Sequence, residues 1–183
     1  MTETIRQSAI KLGAQALLIL ALVAPVAAVT GIDYQTPDLE DCQKLQVPEG
    51  NKFAFAAYAE GVQIYRWNGT SWAFVAPEAV LYTGDSEDDE AFAIHYGGPT
   101  WESFSGSKVV GALVDKCPHD PDAIPWLLLK AVSSDGPGVF RRVSHIQRLY
   151  TVGGLAPAEP GNFVGEEAQV PYSAWYAFYR EQR

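Results

Sequence analysis

The stretch VQIYRWNGTSWAFV, residues 62–75, constrains the fold more than any other part of the chain. Asn-Gly between two runs of β-branched and aromatic residues is the strongest short-range hairpin signal, because both residues tolerate the positive φ that a type I′ turn requires. With Asn68-Gly69 as the turn, position 67 faces 70, 65 faces 72 and 63 faces 74. One face then carries Gln63, Tyr65, Trp67, Thr70, Trp72 and Phe74, and the other carries Val62, Ile64, Arg66, Ser71, Ala73 and Val75. Neither face is plainly polar, so both want cover. The aromatic face reads either as packing or as a ligand platform.

Further short segments bounded by Gly, Pro, Asn or Asp follow the same logic. Residues 52–58 alternate Phe53, Phe55 and Ala57 against Lys52, Ala54 and Ala56, and Glu60-Gly61 is expected to turn the chain into the hairpin. Residues 91–96 place Phe92, Ile94 and Tyr96 opposite Ala91, Ala93 and His95. Residues 108–114 form a valine-rich strand whose Gly111 marks a bulge or a close backbone approach. The apolar run 124–133, IPWLLLKAVS, fits a strand or one short helix, since periodicity cannot arbitrate over so few residues. A turn at 135–138 leads to residues 139–152, one long strand or two broken by a bulge. After a Pro/Gly-rich loop, residues 170–180 set Tyr172, Ala174, Tyr176 and Phe178 against Ser173, Trp175, Ala177 and Tyr179, the pattern of a closing strand. The expectation is a mostly β, single-domain antiparallel sandwich or barrel with at most short helices.

The N-terminus reads as a signal peptide over residues 1–28: Arg6 and Lys11 precede an apolar run that ends in Val26, Ala27 and Ala28. An uncleaved anchor is the alternative. Residues 29–46 form a polar arm and 47–183 a single β-domain, which places the mature protein outside the cell or in the periplasm, with no stable membrane insertion after cleavage. In such a compartment Cys42 and Cys117, the two cysteines of the chain, default to a disulfide. The net charge of −9 argues against nucleic acid as a partner, which rewards basic patches. The acidic run 85–90, DSEDDE, is expected to be a solvated loop and lacks the spacing of an EF-hand.

Few residues have the grouping that chemistry needs. There is no HExxH, no GxSxG elbow and no glycine-rich nucleotide fingerprint, so no cofactor is expected and a dinucleotide-dependent dehydrogenase is disfavoured. A site at Cys117-Pro118-His119-Asp120 lacks a second ligand cluster, and no metal is expected. His95, ahead of a glycine-rich turn, could carry a proton with Glu102 as its orienting acid. Arg148, on HIQRLYTVGG, would need a carboxylate or an anionic ligand if it faced inward, and alternation sends Gln147 to the opposite face. His145 alternates with Val143 and Gln147 and could point into the same pocket as His95, though no spacing requires it.

The pieces GVQIYRWNGTSW, HYGGPTWESFSGSKVVG, IPWLLLKAV, IQRLYTVGGLAP and VPYSAWYAFYR resemble, in order, the secreted bacterial and fungal family known as domain of unknown function 3455. The resemblance implies an exported single domain and no assigned catalytic residues. Some relatives are labelled malate dehydrogenase, an activity whose nucleotide fingerprint is missing here. The functional expectation is a binding module for a saccharide, an envelope component or a small apolar molecule, through Gln63, Tyr65, Trp67, Trp72, Trp101 and Gln147. An enzyme centred on His95, Glu102 and Arg148 is the alternative, and a structural envelope protein a third.

Overall fold

The structure is a computed structural model that describes residues 36–182, so the expected signal peptide lies outside the described residues, as does the first part of the arm. Eight antiparallel strands follow one another in an up-and-down barrel: β1 (Asn51–Trp67), β2 (Trp72–Tyr82), β3 (Ala91–Tyr96), β4 (Thr100–Ser103), β5 (Lys108–Cys117), β6 (Trp126–Asp135), β7 (Val143–Gly153) and β8 (Glu167–Glu181). Each strand pairs with the next, and β8 pairs back onto β1 from Asn51↔Glu181 to Arg66↔Glu167, which closes the sheet. The expected sandwich or barrel is therefore a barrel. No helix among the described residues is long and apolar enough to cross a membrane.

Alternation sorts the side chains as the closing strand promised. Tyr172, Ala174, Tyr176 and Phe178 join the buried interior, while Ala177 and Tyr179 face the opposite way. Alanines at 57, 59, 79 and 93 make one interior wall thin, and the bulk comes from Trp101, Tyr176 and Phe178 opposite. Such small-against-large filling is how an eight-stranded barrel packs its taper. One end is plugged by Phe140 from the 136–142 loop. Its ring lies against Phe178 and Phe55, and its N–H donates to Ser107 Oγ at 3.2 Å. At the other end Ile124 of the 118–125 loop enters the interior, held by Ile124 N–H to Gly153 O at 2.9 Å and Thr151 Oγ1–H to Ile124 O at 2.6 Å.

A second buried cluster lies outside the barrel wall. Leu39, Cys42, Leu45 and Val47, around the 3-10 turn Gln43–Leu45, pack on Trp126, Leu128, Leu149 and Tyr179. The expected Cys42–Cys117 disulfide is present, with Cα atoms 5.8 Å apart, and rivets this segment to the end of β5.

Several local expectations are corrected. Asn68-Gly69 does not form a two-residue I′ turn: Trp67 pairs with Trp72, so the loop has four residues, 68–71. Only Gly69 takes a positive φ, +96°, and Asn68 Oδ1 accepts the N–H groups of Thr70 and Ser71, both at 2.9 Å. An Asx turn has won over the primed turn. The shift is by two residues, so Tyr65 still shares its face with Phe74, their rings 5.8 Å apart. Glu60-Gly61 is not a turn; β1 runs straight through it, and a Cβ at Gly61 would come within 2.0 Å of Glu78 O. The glycine is there for close approach of β2. A register shift between Phe53 and Phe55 sends Phe53 to the outer cluster and Phe55 inward, breaking the expected alternation. Gly111 meets both its expectations: a register shift falls beside it, and its missing Cβ leaves room for Trp101 and Leu129 at 3.2 Å. The apolar run 124–133 is a strand from Trp126 onward, within β6, and Ile124 and Pro125 belong to the loop before it.

Two stability changes follow. Gly69→Val forces a β-branched residue into positive φ and should cost about 1–3 kcal/mol, read as a lower urea midpoint; an unchanged midpoint would show that the turn does not matter. Replacing both Cys42 and Cys117 by Ala frees a span of 75 residues and in the entropic account should cost about 4 kcal/mol. Hydrogen exchange should then show residues 39–47 losing protection before the barrel strands do.

Candidate functional site

The strands differ greatly in length, and the difference opens the barrel. β1 and β8 span 17 and 15 residues, but β3 and β4 have only 6 and 4. Their hairpin turns early, at Gly97-Gly98-Pro99, and Pro99 O accepts the Gly111 N–H at 2.9 Å. Beside this short hairpin lies a cavity of about 170 Å³. Phe74, Val75 and Pro77 of β2, Leu113 of β5, and Leu127 and Leu129 of β6 form most of its wall. Leu113 and Phe74 stand at its mouth, 57% and 55% exposed.

Four inward side chains give this apolar space its chemistry: His95, Trp101, Arg148 and Tyr176. His95 and Trp101 are cross-strand partners on β3 and β4, and their rings stack at 4.3 Å, with the Tyr176 ring edge-on to the imidazole at 5.2 Å. His95 Nδ1 lies 2.8 Å from Thr100 O. A carbonyl can only accept, so Nδ1 carries the proton and Nε2 keeps its lone pair. Burial is the largest influence on this imidazole; the bond to Thr100 O opposes it, the Arg148 charge adds to it, and the pKa is lowered to about 3. The ring is neutral at physiological pH.

Arg148 is 9% exposed, and its Nε–H and Nη2–H both donate to Pro125 O, at 3.2 and 2.8 Å. Deeper in, the Tyr172 and Tyr176 hydroxyls meet at 3.4 Å, and Tyr65 OH donates to Gly154 O at 2.7 Å. Burial raises all three phenols, and the Arg148 charge partly opposes it. Gln63 is also inside the barrel, with its Nε2 unpartnered among the described residues.

The expected site residues therefore divide. His95, Trp101 and Arg148 share the cavity; Tyr65 and Gln63 are interior but do not line it. Gln147 is on the other side of the wall, as alternation required. Its Nε2–H donates to Leu45 O at 2.7 Å and its Oε1 accepts from Tyr179 OH at 2.6 Å, so it anchors the arm and does not line the barrel cavity. Trp67 and Trp72 pack together at 5.6 Å at the hairpin end, where Trp72 Nε1–H donates to Glu159 O at 2.8 Å under the 154–166 loop. They do not form one platform with Trp101. Glu102 is not the orienting acid of His95: it points outward and accepts from Tyr96 OH at 2.7 Å. His145 lies outside the cavity, next to Lys130 and Glu181. The sulfur of Cys117 is bonded to Cys42, and His119 instead holds the arm through Asp41 Oδ1 at 2.6 Å and Glu40 Oε2 at 3.3 Å.

Tyr176, Leu113, Leu127 and Leu129 were missed as site residues. Tyr176 was legible only as a member of the inward face of the closing strand, and Leu127 and Leu129 as two leucines at a strand's spacing of two.

The chain belongs to the family described as protein of unknown function DUF3455, whose model matches residues 48–180. No curated protein and no solved structure matches it.

The neutral His95 makes stability depend on pH in a definite sense. Its folded pKa of about 3 lies below the ordinary imidazole value of 6.5, so the unfolded chain takes up a proton that the folded one refuses. The contribution is complete above pH 6.5 and is lost as pH falls toward 3, at up to about 1.4 kcal/mol per unit. Burial also lowers His145, in the same sense. Urea midpoints measured from pH 7 to 4.5 should therefore fall less steeply in His95→Asn than in the parent protein. An imidazole that NMR finds protonated at pH 5 would overturn this account.

Proposed function

We propose that this domain is a binding module that holds a small apolar molecule in the barrel cavity. The observation that carries the reading is the cavity itself: about 170 Å³ with a mostly aliphatic and aromatic wall and an apolar mouth at Phe74 and Leu113. Apolar cavities of about this volume admit a single benzene ring. A ring or a short branched chain matches the space, and apolar pockets with a few placed polar groups are the usual form of small-molecule sites. A saccharide has less support, because it needs many polar partners and the wall offers few. The acid/base reading of His95 loses its acid, since Glu102 lies outside. The disulfide and the apolar N-terminal run favour an exported protein.

Toluene is the probe that tests this. Titrated into the protein, it should produce saturable NMR shifts in the methyl groups of Leu127 and Leu129. Leu113→Glu sets a charge at the mouth on an exposed position and should weaken toluene by several-fold without unfolding the domain. Trp72→Ala, at a residue that does not line the cavity, should leave toluene binding unchanged once its fold is verified. Absence of saturable shifts in the parent protein would sink the cavity reading, and loss of binding in a folded Trp72→Ala would move the site to the hairpin end.

A further inference from the structure

The cavity holds a charge that no acidic group among the described residues balances. No aspartate, glutamate or lysine is buried among the described residues, and the two buried histidines are both held toward the neutral form by burial. Arg148 is the exception, and none of the ion pairs among the described residues includes it. Yet the chain carries 22 acidic residues. A buried, unpaired cation costs several kcal/mol unless something compensates it. What Arg148 meets among the described residues is neutral: Pro125 O takes both Nε–H and Nη2–H, and the Tyr176 hydroxyl is a further hydrogen-bond partner. A neutral dipole does not cancel a charge.

We infer that the ligand of this cavity is a small monocarboxylate with an apolar body, its carboxylate held by Arg148 beside Tyr176 and its body against Leu127, Leu129 and Trp101. This rests on the cavity reading and specifies its ligand. Guanidinium and carboxylate form short, charge-assisted hydrogen bonds, and a surrounding apolar wall strengthens them. The phenolic hydroxyl of Tyr176, on the same cavity, is a further donor for the anion. His95 sets the valence: with its imidazole neutral it adds no second cation, so one negative charge completes the site. The volume of about 170 Å³ limits the body to roughly one ring or a short branched chain.

Benzoate, benzamide and toluene separate the two readings, because they share a ring and differ in charge. Isothermal titration of the intact domain at pH 7 should rank benzoate above benzamide by roughly tenfold or more, as expected for a charge-assisted pair in an apolar site. Arg148→Met, which keeps the length of the side chain and removes its charge, should abolish that preference while toluene still binds. If Arg148→Met does not fold, the ranking in the parent protein decides alone. Benzamide binding as tightly as benzoate, or toluene binding while benzoate does not, overturns the anionic ligand and leaves the cavity reading standing. If none of the three binds, both fall.

Discussion

Pairing of β8 with β1 is the constraint on which everything else hangs. It joins the last strand to the first across more than a hundred residues of chain and leaves no open sheet edge. The interior exists only because of it: Ala57 and Ala59 on β1 and Ala174, Tyr176 and Phe178 on β8 belong to one buried cluster. Backbone hydrogen bonds along this seam are satisfied in the ladder, so the apolar faces can be buried without stranding polar groups.

Strand β7 shows how much a closed wall can be asked to do. From His145 to Leu149 every residue is buried, because the barrel lies on one side and the disulfide-anchored segment on the other. Gln147 and Arg148 are neighbours in sequence with unrelated duties. The first ties down the arm through Leu45 O; the second stands in the cavity. Alternation at a period of two is enough to separate a structural amide from a charge that faces the barrel cavity.

The cavity arises from unequal strands and unequal side chains. A short β3–β4 hairpin leaves the wall incomplete at one end, and the alanines of β1 to β3 leave its neighbourhood thinly filled. The missing Cβ of Gly111 leaves room for the Trp101 ring, which stacks on His95 to form one side of the space. An arginine in such surroundings raises the electrostatic stakes, since low polarizability strengthens its pull on any anion and its cost when alone.

Residue type and spacing were sufficient for the class of fold, for the disulfide, for the faces of the closing strand and for the separation of Gln147 from Arg148. These are local properties: a strand's period of two states which side chains travel together, and an oxidising context pairs a lone pair of cysteines. The same rules cannot say which face is inside, and they fail at bulges. The shift between Phe53 and Phe55 reversed one expectation, and the Asn68 side chain, whose Oδ1 accepts the N–H groups of Thr70 and Ser71, lengthened the predicted turn. Glu102 points outward because it alternates with Trp101, the cross-strand partner of His95, whereas bringing Arg148 to His95 and placing Trp67 and Trp72 away from Trp101 were decided by closure alone. Those relations join residues tens of positions apart, and only the finished barrel, through its register and the taper of its strands, sets the distance between them.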